Sequence, residues 1–305
     1  MNKYNSGVNR RHFLAALALS PLWGSSLVRA ATAPHITPSH PDLKRIAVLE
    51  WLPADLLMAL GVIPLAVADI HNYNLWVQQP ALPSGVIDLG TRAEPNMELL
   101  QQLAPSLILY TQNYGPSIEK MSSIAPIMGF SLKDPHQTQL TLAFNSLKRL
   151  AERLELNHQY DLHLRYFQQQ IEQSQQRLRS WKNVPILLFT LLNNDNVMVF
   201  GKGSIFQDVM DKLGLQNAWQ GKVNAFGNQT IGIEQLATIR DAKAIAFTPD
   251  NDTLLARMQR TPLWQSFPFV QRYPVSVQPA VWLYGATLSA LRFCQLLTAA
   301  LENRS

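Results

Sequence analysis

HQTQLTLAFNSLKRLAERLELNHQYDLHLRYFQQQIEQSQQRLRSWKNV, residues 136–184, contains neither glycine nor proline, although the chain has 19 prolines. Glycine disfavours a helix through backbone entropy and proline through its missing N–H, so their absence over this length predicts helix. Gln139 to Leu154 makes one helix, with Leu140, Phe144, Leu147 and Leu150 or Leu154 at helical spacing. Asn157 is then placed to cap a second, from His158 to Trp181, whose Leu162, Phe167, Ile171 and Leu178 form a thin apolar stripe among Gln, Glu and Arg. At about 1.5 Å per residue this helix reaches about 36 Å, enough to cross a small lobe. Pattern alone leaves two uses open for it: a strut between two domains, or a packing helix inside one.

On either side of this stretch, strand, loop and helix alternate. Arg45–Leu49 is an apolar run, followed by a helical pattern from Pro53 to Leu60 that stops at Gly61. Ile63–Val67 and Gly85–Leu89 are further strand candidates. A helix capped by Asn96 runs to Leu103, and Ser106–Tyr110 follows as a buried strand. The second half repeats the scheme with Ile186–Thr190, Val197–Phe200, a helix from Ser204 to Leu213, and Ala244–Phe247. Such alternation predicts an α/β fold of mainly parallel sheet covered by helices. A weak internal repeat, with Glu98 and Glu234 each in the first turn of a short helix ahead of an apolar strand, predicts two similarly built lobes.

The whole chain has 305 residues, a length that favours two domains. Its 47% apolar content excludes global disorder. The formal charge of +5 is concentrated at one end: Lys3, Arg10, Arg11 and Arg29 lie in the first thirty residues with no acid among them. The remainder is nearly neutral and lacks the basic footprint of a nucleic-acid binder. Residues 1–30 read as an export signal, with Arg10-Arg11 before the modest apolar run Phe13–Trp23, which is too short to span a bilayer. The arginine pair followed by Phe13-Leu14 resembles a twin-arginine leader, and cleavage near Ala30 or Ala33 would release a periplasmic protein. The single cysteine, Cys294, excludes intrachain disulfides and thiolate metal centres, and its apolar surroundings predict a buried thiol.

No catalytic signature is present: there is no GxSxG, no P-loop and no HExxH, and no acid–base pair stands out. The histidines, His158 and His163 on the polar helix included, read as solvated surface residues. What does accumulate is aromatic residues on segments that follow strand candidates: Trp76, Tyr110, Tyr114, Trp219, Phe226, Trp282 and Tyr284. Ligands of α/β proteins bind beyond the carboxyl ends of strands, and aromatic loops there make an apolar surface with polar tips. If Val281–Gly285 is a strand end, Trp282 and Tyr284 point the same way. Arg92, between a strand and a capped helix, offers a permanently charged donor fork, or else a surface ion pair with Glu94.

Val-Leu-Glu-Trp-Leu-Pro (48–53), Tyr-Gly-Pro-Ser (114–117), Asn-Ala-Trp-Gln-Gly (217–221), Thr-Pro-Leu-Trp-Gln (261–265) and Pro-Ala-Val-Trp-Leu-Tyr-Gly-Ala-Thr-Leu-Ser-Ala (279–290) resemble the ferric-hydroxamate-binding proteins of ferrichrome uptake, within the vitamin-B12/ferrichrome-type binding protein family. The resemblance implies two α/β lobes, 31–157 and 182–305, joined by the helix 158–181, with the ligand in a shallow inter-lobe cleft. It implies that Arg92 and Tyr114 hydrogen-bond hydroxamate oxygens. Trp76, Tyr110, Trp219, Phe226, Trp282 and Tyr284 would line the cleft, with Asn224 as a polar contact. Phe226 and Tyr110 stand where tryptophans are expected. Glu98 and Glu234, with Glu119 as an addition, would dock on an ABC permease of the inner membrane, although first-turn glutamates also stabilise their own helices. No cofactor or metal ligand is expected, because a chelated iron(III) is already six-coordinate; no nucleic acid and a monomer are expected as well. The alternatives are a cobalamin or catecholate carrier, or an exported enzyme; a catecholate would demand several cleft cations, and only Arg92 is in place.

Overall fold

A computed structural model describes residues 40–249 and 253–302, so the export signal and its cleavage sites at Ala30 or Ala33 lie outside the described residues. The amino-terminal half places β1 (Ile46–Val48), β2 (Ala66–Val67), β3 (Ile87–Asp88), β4 (Leu107–Thr111) and β5 (Ile127–Phe130) in one sheet of order β3-β2-β1-β4-β5. All its pairings are parallel, for example Ala47 beside Ile108 and Ala66. Helices α1 (Trp51–Ala59), α2 (Ile70–Trp76), α3 (Met97–Gln102) and α4 (Ile118–Ser122) make the crossovers that parallel pairing requires. The loops that leave the strands therefore all open on one edge of the sheet.

Two helices follow. Helix α5 (Gln139–Leu154) starts at Thr138, whose hydroxyl accepts from Thr141 N–H, and buries Leu140, Ala143, Leu147, Leu150, Ala151 and Leu154 at three- and four-residue spacing. Helix α6 runs Asn157–Arg177, with a separate 3-10 turn at Arg179–Trp181, and Asn157 is its first residue rather than its cap. Its buried face is His163, Phe167, Ile171 and Ser174, while Leu162 and Tyr166 are exposed. Of the expected apolar stripe, Phe167, Ile171 and Leu178 are buried, and only Leu162 turns outward. His163, four residues ahead of Phe167, takes the inner place instead of being a solvated surface histidine.

The carboxyl-terminal half holds β6 (Ile186–Leu191), β7 (Asn196–Phe200), β8 (Asn228–Gly232), β9 (Lys243–Thr248) and β10 (Ser276–Pro279), in the order β10-β9-β6-β7-β8. Here β6, β7 and β8 pair antiparallel. The connection Leu192–Asp195 is too short for a helical crossover, and Asn193 Oδ1 closes it by accepting from the N–H groups of Asp195 and Asn196. Helix α7 (Ile205–Leu213) packs on one face; α8 (Thr253–Met258), α9 (Pro262–Gln265) and α10 (Pro268–Arg272) precede β10, and α11 (Thr287–Glu302) closes the described chain.

The two halves share more than one helix. Phe293, Cys294 and Leu297 of α11 pack in one core with Phe206 and Met210 of α7 and Phe167 of α6, and Leu140 of α5 belongs to that core too. Leu147 and Leu150 of the same α5 belong to the core of the first sheet, with α1. Cys294 is fully buried, and burial pushes its thiol pKa up. Two carboxylates tie the seam reciprocally. Asp55 on α1 accepts from the backbone N–H groups of Ala286, Leu288 and Ser289 and from the Ser289 hydroxyl, capping α11. Asp208 on α7 accepts from Leu140 N–H at 2.8 Å, in the first turn of α5. Burial raises the pKa of both acids, against the lowering effect of these hydrogen bonds.

Candidate functional site

Arg92 follows β3 at the carboxyl edge of the first sheet. Its partners are not Glu94: Nη1 donates to Glu50 Oε1 at 2.7 Å, and Nε lies 3.5 Å from Asp69 Oδ2. The guanidinium sits 3.6 Å over the centre of the Trp51 ring and 5.1 Å from that of Trp282. Glu50 and Trp51 open α1, and sequence reasoning left both outside the site. Trp51 is 1% exposed, its indole N–H donating to Ala68 C=O, and it meets Trp282 edge-on at 4.6 Å.

From Trp282 the aromatic chain continues into the second half. Trp282 and Tyr284 are 5.3 Å apart and perpendicular, and Tyr284 and Phe226 meet in the same way at 5.3 Å. Lys133, after β5, lies 5.4 Å over Phe226. Arg92, Trp51, Trp282, Tyr284, Phe226 and Lys133 thus form one continuous row that links the ends of both sheets. Val281–Gly285 is a turn rather than a strand end, with Gly285 N–H donating to Trp282 C=O. At Gly285 a Cβ would fall 1.9 Å from Ser289 Oγ, so the turn closes on the Asp55 cap only with glycine. Beside the row lies a cavity of about 220 Å³, lined by Trp76, Leu192, Met198, Phe247, Trp282 and Tyr284 among others. Among the described residues, Arg92 Nε and Trp282 Nε1 are buried side-chain donors without a hydrogen-bond partner.

The remaining expected residues divide. Trp76 reaches the cavity, from the last position of helix α2 rather than from a loop. Tyr114 is 42% exposed on the tight turn after β4, its ring 5.9 Å from the Arg92 guanidinium. Tyr110 is not in the row. It shares a sheet face with Ile108, in the core that holds Leu100 and Met121, and its ring fills the space above Gly129. A second recess, of about 390 Å³ along Gln112–Ile118, reaches Tyr110. Trp219 is also outside the row: half-buried, its ring lies over Gly221 and near Gly201, packed against the core behind the second sheet. Asn224 is exposed and bonded within its own turn. Its Oδ1 accepts from Phe226 and Asn228 N–H and its Nδ2 donates to Asn228 Oδ1, so it shapes the turn that presents Phe226.

Glu98, Glu119 and Glu234 are all exposed, each in the first turn of a helical segment that follows β3, β4 or β8. Because β8 runs parallel to β6, Glu234 stands on the same edge of its sheet as Leu192 and Ala280. One carboxylate or two from each half therefore flank the cleft. The Glu119 carboxyl is held below the usual range by its own backbone N–H and by Ser117. His163 touches none of these groups. Its Nε2 lies 2.8 Å from Thr287 Oγ1 at the start of α11, and burial lowers its pKa to about 4. No cluster of His, Cys, Asp and Glu fit to hold a metal occurs among the described residues.

Two α/β lobes with an aromatic cleft at their strand ends define a substrate-binding protein. The chain belongs to the periplasmic binding protein family, matching it over residues 46–280. It is 41% identical over 299 residues to the iron(3+)-hydroxamate-binding protein FhuD of Escherichia coli K12, with 98% of each chain covered. It is 26% identical over 254 residues to the Fe(3+) dicitrate-binding periplasmic protein FecB of the same organism, covering 78% of each. Among solved structures it resembles the Fe3+-Desferal-bound siderophore-binding protein FhuD of Vibrio cholerae, with a TM-score of 0.75, 24% identity, and 86% of this chain and 98% of that one covered.

Proposed function

We propose that this protein captures iron(III)–hydroxamate chelates in the periplasm and hands them to an ABC permease of the inner membrane, without catalysis and without a cofactor of its own. The observation that carries this reading is the pairing of donors with aromatic walls: the Arg92 guanidinium, and a buried Trp282 Nε1 without an acceptor, beside the Trp51–Trp282–Tyr284–Phe226 row. Orphaned buried donors are costly unless an acceptor arrives. Three hydroxamates cancel the charge of iron(III) and surround it with oxygens, which are acceptors on a bulky, largely apolar body. Such a cargo needs no protein metal ligand.

Charge favours the same class. Arg92 comes already paired with Glu50 and near Asp69, so the centre offers donors without net positive charge. A tris-catecholate, which is strongly anionic, would find only Lys133 as a further cation along the aromatic row. Glu98 and Glu234, with Glu119, serve as the docking acids, one edge of each lobe presenting them to permease arginines. Export rests on the leader, and no described helix is long and apolar enough to cross a membrane. Residues 31–157 and 182–305 serve as the lobes, with 158–181 between them and α11 packed on both.

Titration of the mature protein's tryptophan fluorescence tests this reading. Iron(III)–desferrioxamine B and ferrichrome should quench saturably at one-to-one stoichiometry, and cobalamin and an iron(III) tris-catecholate should not. Saturable binding of cobalamin or the catecholate, with none of either hydroxamate, would replace the proposed ligand class.

A further inference from the structure

Arg92 sits in a loop whose neighbours Thr91, Ala93 and Glu94 are exposed, so its own segment does little to fix the guanidinium. Glu50 fixes it instead. This carboxylate is 4% exposed and collects donors from three separate segments: Arg92 Nη1 at 2.7 Å on Oε1, and Leu52 N–H at 2.8 Å and the Thr111 hydroxyl at 3.1 Å on Oε2. Asp69, itself held by Asn72 Nδ2 at 2.8 Å, borders Nε, and Trp51 backs one face of the plane. Three sides of the guanidinium are thereby set, and Nη2 makes no hydrogen bond among the described residues.

Glutamate is an uncommon residue for the position it occupies. Helix N-caps are dominated by Ser, Thr, Asp and Asn, whose short side chains reach the first-turn N–H groups. An aspartate at position 50 would keep the charge and suit the cap, but its carboxylate would end one C–C bond, about 1.5 Å, short of Arg92. The extra methylene therefore serves the arginine rather than the helix. We infer that Glu50 is a positioning residue for ligand capture, aiming the free edge of Arg92 at the chelate oxygens through its contacts with Arg92, Leu52 and Thr111. This role rests on the proposed binding of iron(III)–hydroxamates.

Calorimetric titration with iron(III)–desferrioxamine B tests it on wild type, Glu50→Asp, Glu50→Gln, Arg92→Ala and the two double variants, with Tm recorded for each. Glu50→Asp and Glu50→Gln should each weaken binding about tenfold or more, the scale of a charge-assisted hydrogen bond misdirected. Glu50→Asp should keep its Tm within a few degrees. In the Arg92→Ala background neither change should add more than about twofold, because both act through the same group. Thr261→Ala, which removes the N-cap of α9, should lower Tm and leave affinity unchanged. Wild-type affinity in Glu50→Asp, an equal penalty with and without Arg92, or a Glu50→Asp protein that no longer folds would each overturn the positioning role. Failure of the wild type to bind would overturn the functional reading beneath it, and is told apart by the first titration.

Discussion

Arg92, on the amino-terminal side of the cleft, is fastened by neighbours of its own lobe, whereas Trp282 and Tyr284 sit in a turn fastened from the other lobe. Glu50, Asp69 and Trp51 hold the arginine. Asp55, on α1, holds the start of α11 and so the turn before it. Both holds come from one short helix, since Glu50 caps α1 and Asp55 lies one turn inside it. The first side provides directed donors and the second apolar walls, and the two demands differ in tolerance. A hydrogen bond weakens steeply with angle, whereas burial is roughly proportional to area and indifferent to direction. Ligand class should therefore depend on the first side, and ligand breadth on the second.

The strongest way to break this division is at the shared hold. Asp55→Ala removes a buried acceptor of four hydrogen bonds and should cost about 3 kcal/mol of stability by denaturant unfolding, together with affinity. An unchanged midpoint would show that α11 needs no cap from α1. The seam should also respond to pH through His163. Its pKa falls from 6.5 to about 4 on folding, so its contribution is complete above pH 6.5 and is lost as pH falls towards 4. That amounts to about 3 kcal/mol, and His163→Asn should flatten this part of the stability curve. Arg92→Ala should weaken iron(III)–desferrioxamine binding by about 2 kcal/mol, near thirtyfold, with the loss similar for every hydroxamate. Lys133→Ala removes one exposed cation–π contact and should cost less than about 1 kcal/mol, unevenly between hydroxamates of different size.

Local pattern carried most of the fold. Helix α5 was legible to its ends because its apolar positions recur every three or four residues behind a Thr138 cap. The two-lobed α/β plan followed from alternating strands and helices, although the β6–β7 hairpin shows that a four-residue link reverses the chain. Loop position was enough to bring Arg92, Phe226, Trp282 and Tyr284 into one row. The site was obscured where side-chain direction decides. Tyr110 alternates with Leu109 in a buried strand and so turns to the core with Ile108, a placement that strand periodicity could have given. Asn224 closes its own turn, a common use of asparagine. Nothing local marks Asp55 as a partner of Ser289 or Glu50 as a partner of Arg92, since folding alone brings these distant segments together.

The most direct test of the central claim is a crystal structure of the mature protein with iron(III)–desferrioxamine B, with data collected at the iron absorption edge. One anomalous peak is expected beside the free edge of Arg92, facing Trp282 and Tyr284, with chelate oxygens near Tyr114. An iron peak away from Arg92, with no chelate atom against Trp282 or Tyr284, would contradict it.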